Sequence, residues 1–160
     1  MRKTFFKHLA KLAETDKRIW LLTADMGWKL LDDFPRERFI NVGVAEQNMV
    51  GIATGLALEG KVPFCYSIST FLIFRAYEFL RNDVAYQNLP VRIVGVGGWN
   101  EYPDYGISHN CVQDEDITLI RTLPQFKIVE TNDKETLLHE LDDSVDFPDP
   151  IYFRISRRHE

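Results

Sequence analysis

The sequence predicts an α/β fold: a single-domain, three-layer α/β/α arrangement around a mainly parallel sheet of about six strands. Two observations carry this prediction. Six short apolar runs, most of them β-branched or aromatic, are spread along the chain in the manner of buried parallel strands. Helical patterning separates most of them, and strand–helix alternation favours parallel pairing with helices on both faces of the sheet.

Taken in order, Phe5, Leu9 and Leu12 recur at helical spacing and predict an amphipathic helix over 2–15. Its basic start is like that of a signal peptide, but Lys7, Lys11, Glu14 and Asp16 interrupt any apolar run. Strands follow at 19–23, 39–42 and 62–68, with a Gly/Ala-rich helix over 44–59 before the third. A helix over 70–87 leads to a strand at 91–96, and a helix over 114–122 to a strand at 127–130. Thr131-Asn132-Asp133 offers capping chemistry for a helix over 133–145, and the last strand spans 151–155. The expectation is one domain over 1–160, with no room after the last strand for another.

Composition narrows the function. The chain is 45% hydrophobic, enough for a real core, and its formal net charge of −5 offers no basic surface for nucleic acid. Cys65 and Cys111 are far apart and lack metal-ligand spacing, so neither a disulfide framework nor a metal site is expected, and a reducing cytoplasm is. No stretch is long and apolar enough to span a membrane.

A parallel sheet binds ligands beyond the carboxyl ends of its strands. The segments to inspect are therefore 24–28, 43–48, 69–74, 97–109 and 156–158. Glu46 stands in the first turn of a helix after a strand; acids favour that place for the dipole alone, and a ligand contact is the other reading. Gly51, Ala53, Gly55 and Ala57 follow on the same helix, an unusual concentration of small residues that suggests a tightly packed interface. Phe71, Phe74 and Tyr77 recur every three residues, as core packing or as an aromatic wall for a flat ring. Gly95-Val96-Gly97-Gly98-Trp99 does not match the dinucleotide fingerprint and reads as a strand end and a mobile loop. His109 lies in that long loop, as a surface histidine or as a functional one, and a long loop after a strand adds weight to the second reading.

Together these segments resemble the transketolase family, over roughly residues 20–157. Asn-Val-Gly-Val-Ala-Glu-Gln-Asn-Met at 41–49 and Ser-Thr-Phe-Leu-Ile-Phe-Arg-Ala-Tyr at 69–77 are similar to the small-subunit type of split transketolases. Arg121-x-Leu-Pro and the ending Pro-Ile-Tyr-Phe-Arg-Ile-Ser-Arg at 150–157 also fit. The resemblance implies thiamine diphosphate as cofactor and this chain as its pyrimidine-binding domain. Glu46 matches the glutamate that bonds N1′ of the cofactor's aminopyrimidine. Phe71 and Phe74 match aromatics that pack on that ring, and Tyr77 a tyrosine beside it. Asp25 matches an aspartate near the cofactor cleft, His109 a substrate-contacting histidine, and Arg157 an arginine that holds a sugar phosphate.

Two departures concern substrate choice. Tyr105 stands where the family usually has an acid, with Asp104 one place earlier, and the stretch at 114–116 is one residue longer than usual. A further departure is the missing Gly-Asp-Gly…Asn motif. The resemblance therefore implies that the diphosphate and its Mg²⁺ or Ca²⁺ are held by a separate subunit, in a homodimeric or heterotetrameric assembly. The implied activity is transfer of a two-carbon ketol unit between sugars or sugar phosphates. The alternatives are a deoxyxylulose-phosphate-synthase-like or other α-keto acid carboligase subunit, and a non-catalytic assembly module on the same fold.

Overall fold

In a computed structural model the described residues are 1–157; Arg158, the last residue of the segment expected beyond the final strand, lies outside them. Six strands form one sheet: β1 (Ile19–Thr23), β2 (Phe39–Asn41), β3 (Val62–Ile68), β4 (Arg92–Val96), β5 (Lys127–Glu130) and β6 (Ile151–Ile155). Their order is β2-β1-β3-β4-β6-β5 and every neighbouring pair is parallel. The helices are α1 (Arg2–Thr15), α2 (Glu46–Leu58), α3 over 71–85, α4 (Glu115–Arg121) and α5 (Lys134–Ser144). Among the described residues no helix is long and apolar enough to cross a membrane.

Both faces of the strands are apolar, so the sheet is covered twice. Ile19, Leu21, Phe64, Val94 and Phe153 pack with Phe5 and Leu9 of α1 and Leu137 and Leu141 of α5. Leu22, Cys65, Ile93 and Tyr152 face the other way, against Met49 and Ala53 of α2, Leu72 of α3 and Ile120 of α4. The alternation along each strand, as in Leu21 and Leu22, follows from the two-residue period of the pleat. This is the three-layer arrangement read from the sequence.

Phe5 centres the first core: its ring meets the edges of Phe64 at 6.4 Å and Phe153 at 5.3 Å. At the amino end of the sheet, the fully buried Arg92 donates to the carbonyls of Ser144 (2.8 Å), Phe147 (2.5 Å) and Asp149 (2.7 Å). It thereby satisfies the carbonyls that α5 and its exit turn would otherwise bury without partners.

Boundaries differ from expectation where side chains redirect the chain. β2 stops at Asn41, because the Asn41 carboxamide oxygen accepts the Gly43 N–H (3.0 Å) and turns the backbone. Gly43 follows with φ of 72°, a left-handed conformation that suits glycine, and α2 starts at Glu46 rather than at 44. Helix 71–85 is one continuous element, but π-helical turns at Phe71–Arg75 and Leu80–Ala85 flank a short α-helical stretch. α4 loses its expected first residue because Gln113 and Asp114 are both left-handed, at φ of 50° and 57°.

Replacing Phe5 with alanine removes the ring that joins α1 to two strands. We expect Phe5→Ala to lower the unfolding free energy by about 3–5 kcal/mol, read from urea denaturation; a loss under about 1 kcal/mol would show that α1 is not part of the cooperative core.

Candidate active site

The site is built at the carboxyl edge of the sheet, beginning with Glu46. Asn41, which ends β2, also accepts the backbone N–H of Asp25 at the end of β1 (3.0 Å), so one carboxamide ties two strand ends together. The turn through Gly43 then delivers Glu46 as the first residue of α2, only 2% exposed. A carboxylate this far from water requires partners. Ser67 of β3 donates its hydroxyl to Oε1 (3.2 Å), and Arg75 of α3 donates Nη1 to Oε2 (3.0 Å). The pair is asymmetric: the Arg75 side chain is 43% exposed, so it reaches the dry carboxylate from a wet side.

Arg75 stands 4.1 Å from the centre of the Phe71 ring, one turn back on α3. Phe71 in turn meets the His109 ring edge-on at 4.8 Å. His109 is also flanked by Tyr105 at 4.6 Å and Tyr102 at 5.8 Å, and the Arg157 guanidinium lies 4.8 Å from the Tyr102 ring. A continuous series of contacts therefore runs Glu46–Arg75–Phe71–His109–Tyr102–Arg157. Burial pushes the Tyr102 phenol above its ordinary range, so it stays neutral beside Arg157.

The loop carrying His109 is knitted rather than loose. Asn110 accepts the Tyr102 N–H (2.8 Å) and donates to the carbonyls of Tyr102 (2.8 Å) and Gly106 (2.6 Å). Thr70, at the exit of β3, donates to the Ser108 carbonyl (2.9 Å). A second anchor holds the loop's ends. The nearly buried Arg154 of β6 donates to Asp114 (2.7 Å) and Glu130 (2.7 Å), and its Nε is 3.1 Å from the buried Asp116 carboxylate. Tyr152 donates to that same carboxylate at 2.6 Å. The guanidinium packs so closely on Gly98 that a Cβ there would fall 2.9 Å from Nη2.

Of the residues singled out in the sequence, the structure joins Glu46, Phe71, His109 and Arg157 through these contacts. Phe74 lies one turn further along α3 with its ring partly in solvent. The Tyr77 hydroxyl is hydrogen-bonded to Thr122 at the end of α4. Asp25 is exposed, bonded to Asn41, and lines a neighbouring cavity of about 370 Å³ with Trp28 and Arg36. Sequence reading missed Ser67, Arg75 and Tyr102. An arginine between Phe74 and Tyr77 in α3 was the only hint of Arg75.

Chemically, a carboxylate shielded from water beside exposed aromatic surface suits a flat nitrogen heterocycle. The carboxylate supplies an acceptor or shares a proton, and Phe71 supplies a ring face.

Comparison with known proteins identifies the family. Residues 1–159 match the family described as transketolase, pyrimidine binding domain. The chain is 37% identical over 160 residues to an apulose-4-phosphate transketolase subunit of Phocaeicola vulgatus, covering 98% of this chain and 51% of that protein. It is 36% identical over 166 residues to 1-deoxy-D-xylulose-5-phosphate synthase of Magnetococcus marinus, covering 97% of this chain and 25% of that protein. The solved structure of a split-gene transketolase, an inactive β4 tetramer, matches with a TM-score of 0.83 at 31% identity, over 98% of this chain and 50% of that one. The chain thus spans about half the length, or less, of the relatives it matches. Fold, edge geometry and these matches together place the chain in the transketolase family, as a pyrimidine-binding domain.

Proposed function

We propose that this chain, as one domain over 1–160, supplies the aminopyrimidine-binding half of a two-component, thiamine-diphosphate-dependent transketolase-like enzyme. A partner subunit supplies the diphosphate site and its Mg²⁺ or Ca²⁺, in a homodimeric or heterotetrameric assembly. The reaction is transfer of a two-carbon ketol unit between sugars or sugar phosphates. The observation that carries this reading is the dry Glu46 carboxylate at the start of α2, linked through Arg75 to the Phe71 ring.

When bound, the cofactor supplies an acidic carbon and an electron sink for the transferred unit. Glu46 holds a proton at N1′ of the aminopyrimidine, which makes the ring's amino group basic. Arg75 is the group that can yield Glu46 to the ring, because its own side chain is half in water and loses little on release. Phe71 and Phe74 face the ring, Tyr77 stands beside it, and Asp25 lies at the rim of the cleft. His109 contacts the substrate's polar groups, and Arg157 takes its phosphate.

Support for a partner comes from the same edge. Trp28, Val44, Phe74, Trp99, Tyr105 and Ile107 all expose apolar surface there. On α2, Gly51 and Gly55 face open space, so another backbone could approach closely. Cys65 and Cys111 are free, buried thiols, as suits a reducing cytoplasm. The match to a deoxyxylulose-phosphate synthase favours a second reading, a carboligase acting on an α-keto acid. A non-catalytic module is disfavoured by Glu46 itself, since folding alone does not call for a buried acid whose counter-ion is half in water.

Three outcomes test the proposal. Titrated alone with thiamine diphosphate and Mg²⁺ in a calorimeter, the chain should bind weakly and turn nothing over; micromolar binding with turnover would refute the two-component reading. In the reconstituted enzyme, His109→Ala and Arg157→Ala should raise the sugar KM or lower kcat while cofactor affinity holds. Loss of cofactor binding in either variant would show that its role is misassigned. Finally, Glu46→Gln keeps shape and hydrogen bonding but removes the proton-holding carboxylate. Exchange of the thiazolium proton in the complex should slow by at least about 10²-fold, with the circular dichroism spectrum unchanged; wild-type exchange would reduce Glu46 to a helix-start acid.

A further inference from the structure

His109 owes its ring orientation, and the identity of its free nitrogen, to its neighbour in the chain. The Ser108 hydroxyl oxygen lies 2.8 Å from the Tyr105 carbonyl oxygen and 2.8 Å from His109 Nδ1. A hydroxyl has one proton to give and can accept with its lone pairs. The Tyr105 carbonyl can only accept, so the Ser108 proton belongs on that bond. Were it turned to Nδ1 instead, two oxygen lone pairs would face each other at 2.8 Å. The hydrogen bond at His109 must then run the other way, from Nδ1–H to the serine oxygen.

We propose that Ser108 is a positioning residue that fixes neutral His109 as its Nδ1–H tautomer, leaving the Nε2 lone pair as a proton acceptor towards the substrate. Three further contacts hold the arrangement in place. Thr70 bonds the Ser108 carbonyl, which fixes the serine backbone to the exit of β3. Asn110 bonds the Gly106 carbonyl and both backbone groups of Tyr102, which fixes the turn presenting the Tyr105 carbonyl. The Phe71 edge and the Tyr105 face pin the ring plane. Among the described residues no carboxylate is bonded to the ring, and Nε2 has no hydrogen-bond partner. The usual orienting group of a working histidine, a carboxylate or carbonyl on its second nitrogen, is replaced here by a hydroxyl whose own proton is committed elsewhere.

The kinetic part of this inference rests on the proposed role of His109, whereas the tautomer does not, and the experiment separates the two. In the ¹⁵N-labelled free chain, above the ordinary titration range of imidazole, long-range ¹H–¹⁵N spectra should show His109 protonated at Nδ1, with the signal assigned by its loss in His109→Asn. Ser108→Ala should shift the population to Nε2–H, and Ser108→Thr should restore Nδ1–H. An Nε2–H wild type, or no change in Ser108→Ala, overturns the proposal. With the partner subunit and the thiamine-diphosphate cofactor, Ser108→Ala should lower kcat/KM for the sugar by about 10- to 100-fold, with cofactor affinity kept and no added effect in a His109→Asn background. A normal rate in Ser108→Ala with the tautomer switched overturns the role of Nε2 in the reaction and leaves the tautomer assignment standing.

Discussion

A single carboxylate kept out of water constrains the site. Glu46 sits where the amides of a helix start already favour negative charge, yet a dry carboxylate still needs hydrogen bonds in place of water. Ser67 comes from β3, and Arg75 comes from the helix that β3 feeds. The start of α2, the end of β3 and the first turn of α3 must therefore meet within a hydrogen bond of one another. Phe71 then has to lie under Arg75. That ring forms the wall that His109 leans on. A shift of α2 by one residue would face Glu46 elsewhere and dissolve the whole series of contacts.

The long connection after β4 is held by other means. Its residues are mostly exposed, and apolar burial cannot hold it. Polar side chains do so instead: Asn110 within the loop, Thr70 from outside it, and Arg154 beneath its ends. Asp114 illustrates the exchange. It occupies the N-cap position of α4, where an aspartate usually accepts amide bonds from its own helix, but it makes no such bond and turns its carboxylate to Arg154. Helix stability is given up locally to fix where the loop returns to the sheet.

Much of this was legible in the sequence. The limits of β1, β3, β5 and β6 are those read from the apolar runs, because β-branched and aromatic residues dominate each run and mark it off from its flanks. The placement of Glu46 and His109 at the carboxyl edge followed from their segments coming directly after strands of a parallel sheet. The roles proposed for them needed the family resemblance, since an acid at a helix start and a histidine in a loop are each common. What could not be read were the pairings. Ser67 and Glu46 are 21 residues apart, and Glu46 and Arg75 are 29 apart; only the packing of α2 and α3 on one face of the sheet brings them together. Likewise no local signal marks the left-handed pair Gln113 and Asp114; the partner of the Asp114 carboxylate, Arg154, lies 40 positions further along the chain.

The contact between Gly98 and Arg154 bears on how such a loop can change over time. With the guanidinium lying flat against the glycine, no side chain can be introduced at 98 while arginine remains at 154. Arginine, for its part, cannot leave alone without taking the counter-ion from the buried Asp116 carboxylate. Substitution at either position first is penalised, so the three sites are expected to diverge together or not at all. A lineage that acquires a charged group at the loop's first turn must have rebuilt the acidic cluster beneath it as well. Change at the start of the loop is thus tied to change in the strand and helix beneath it.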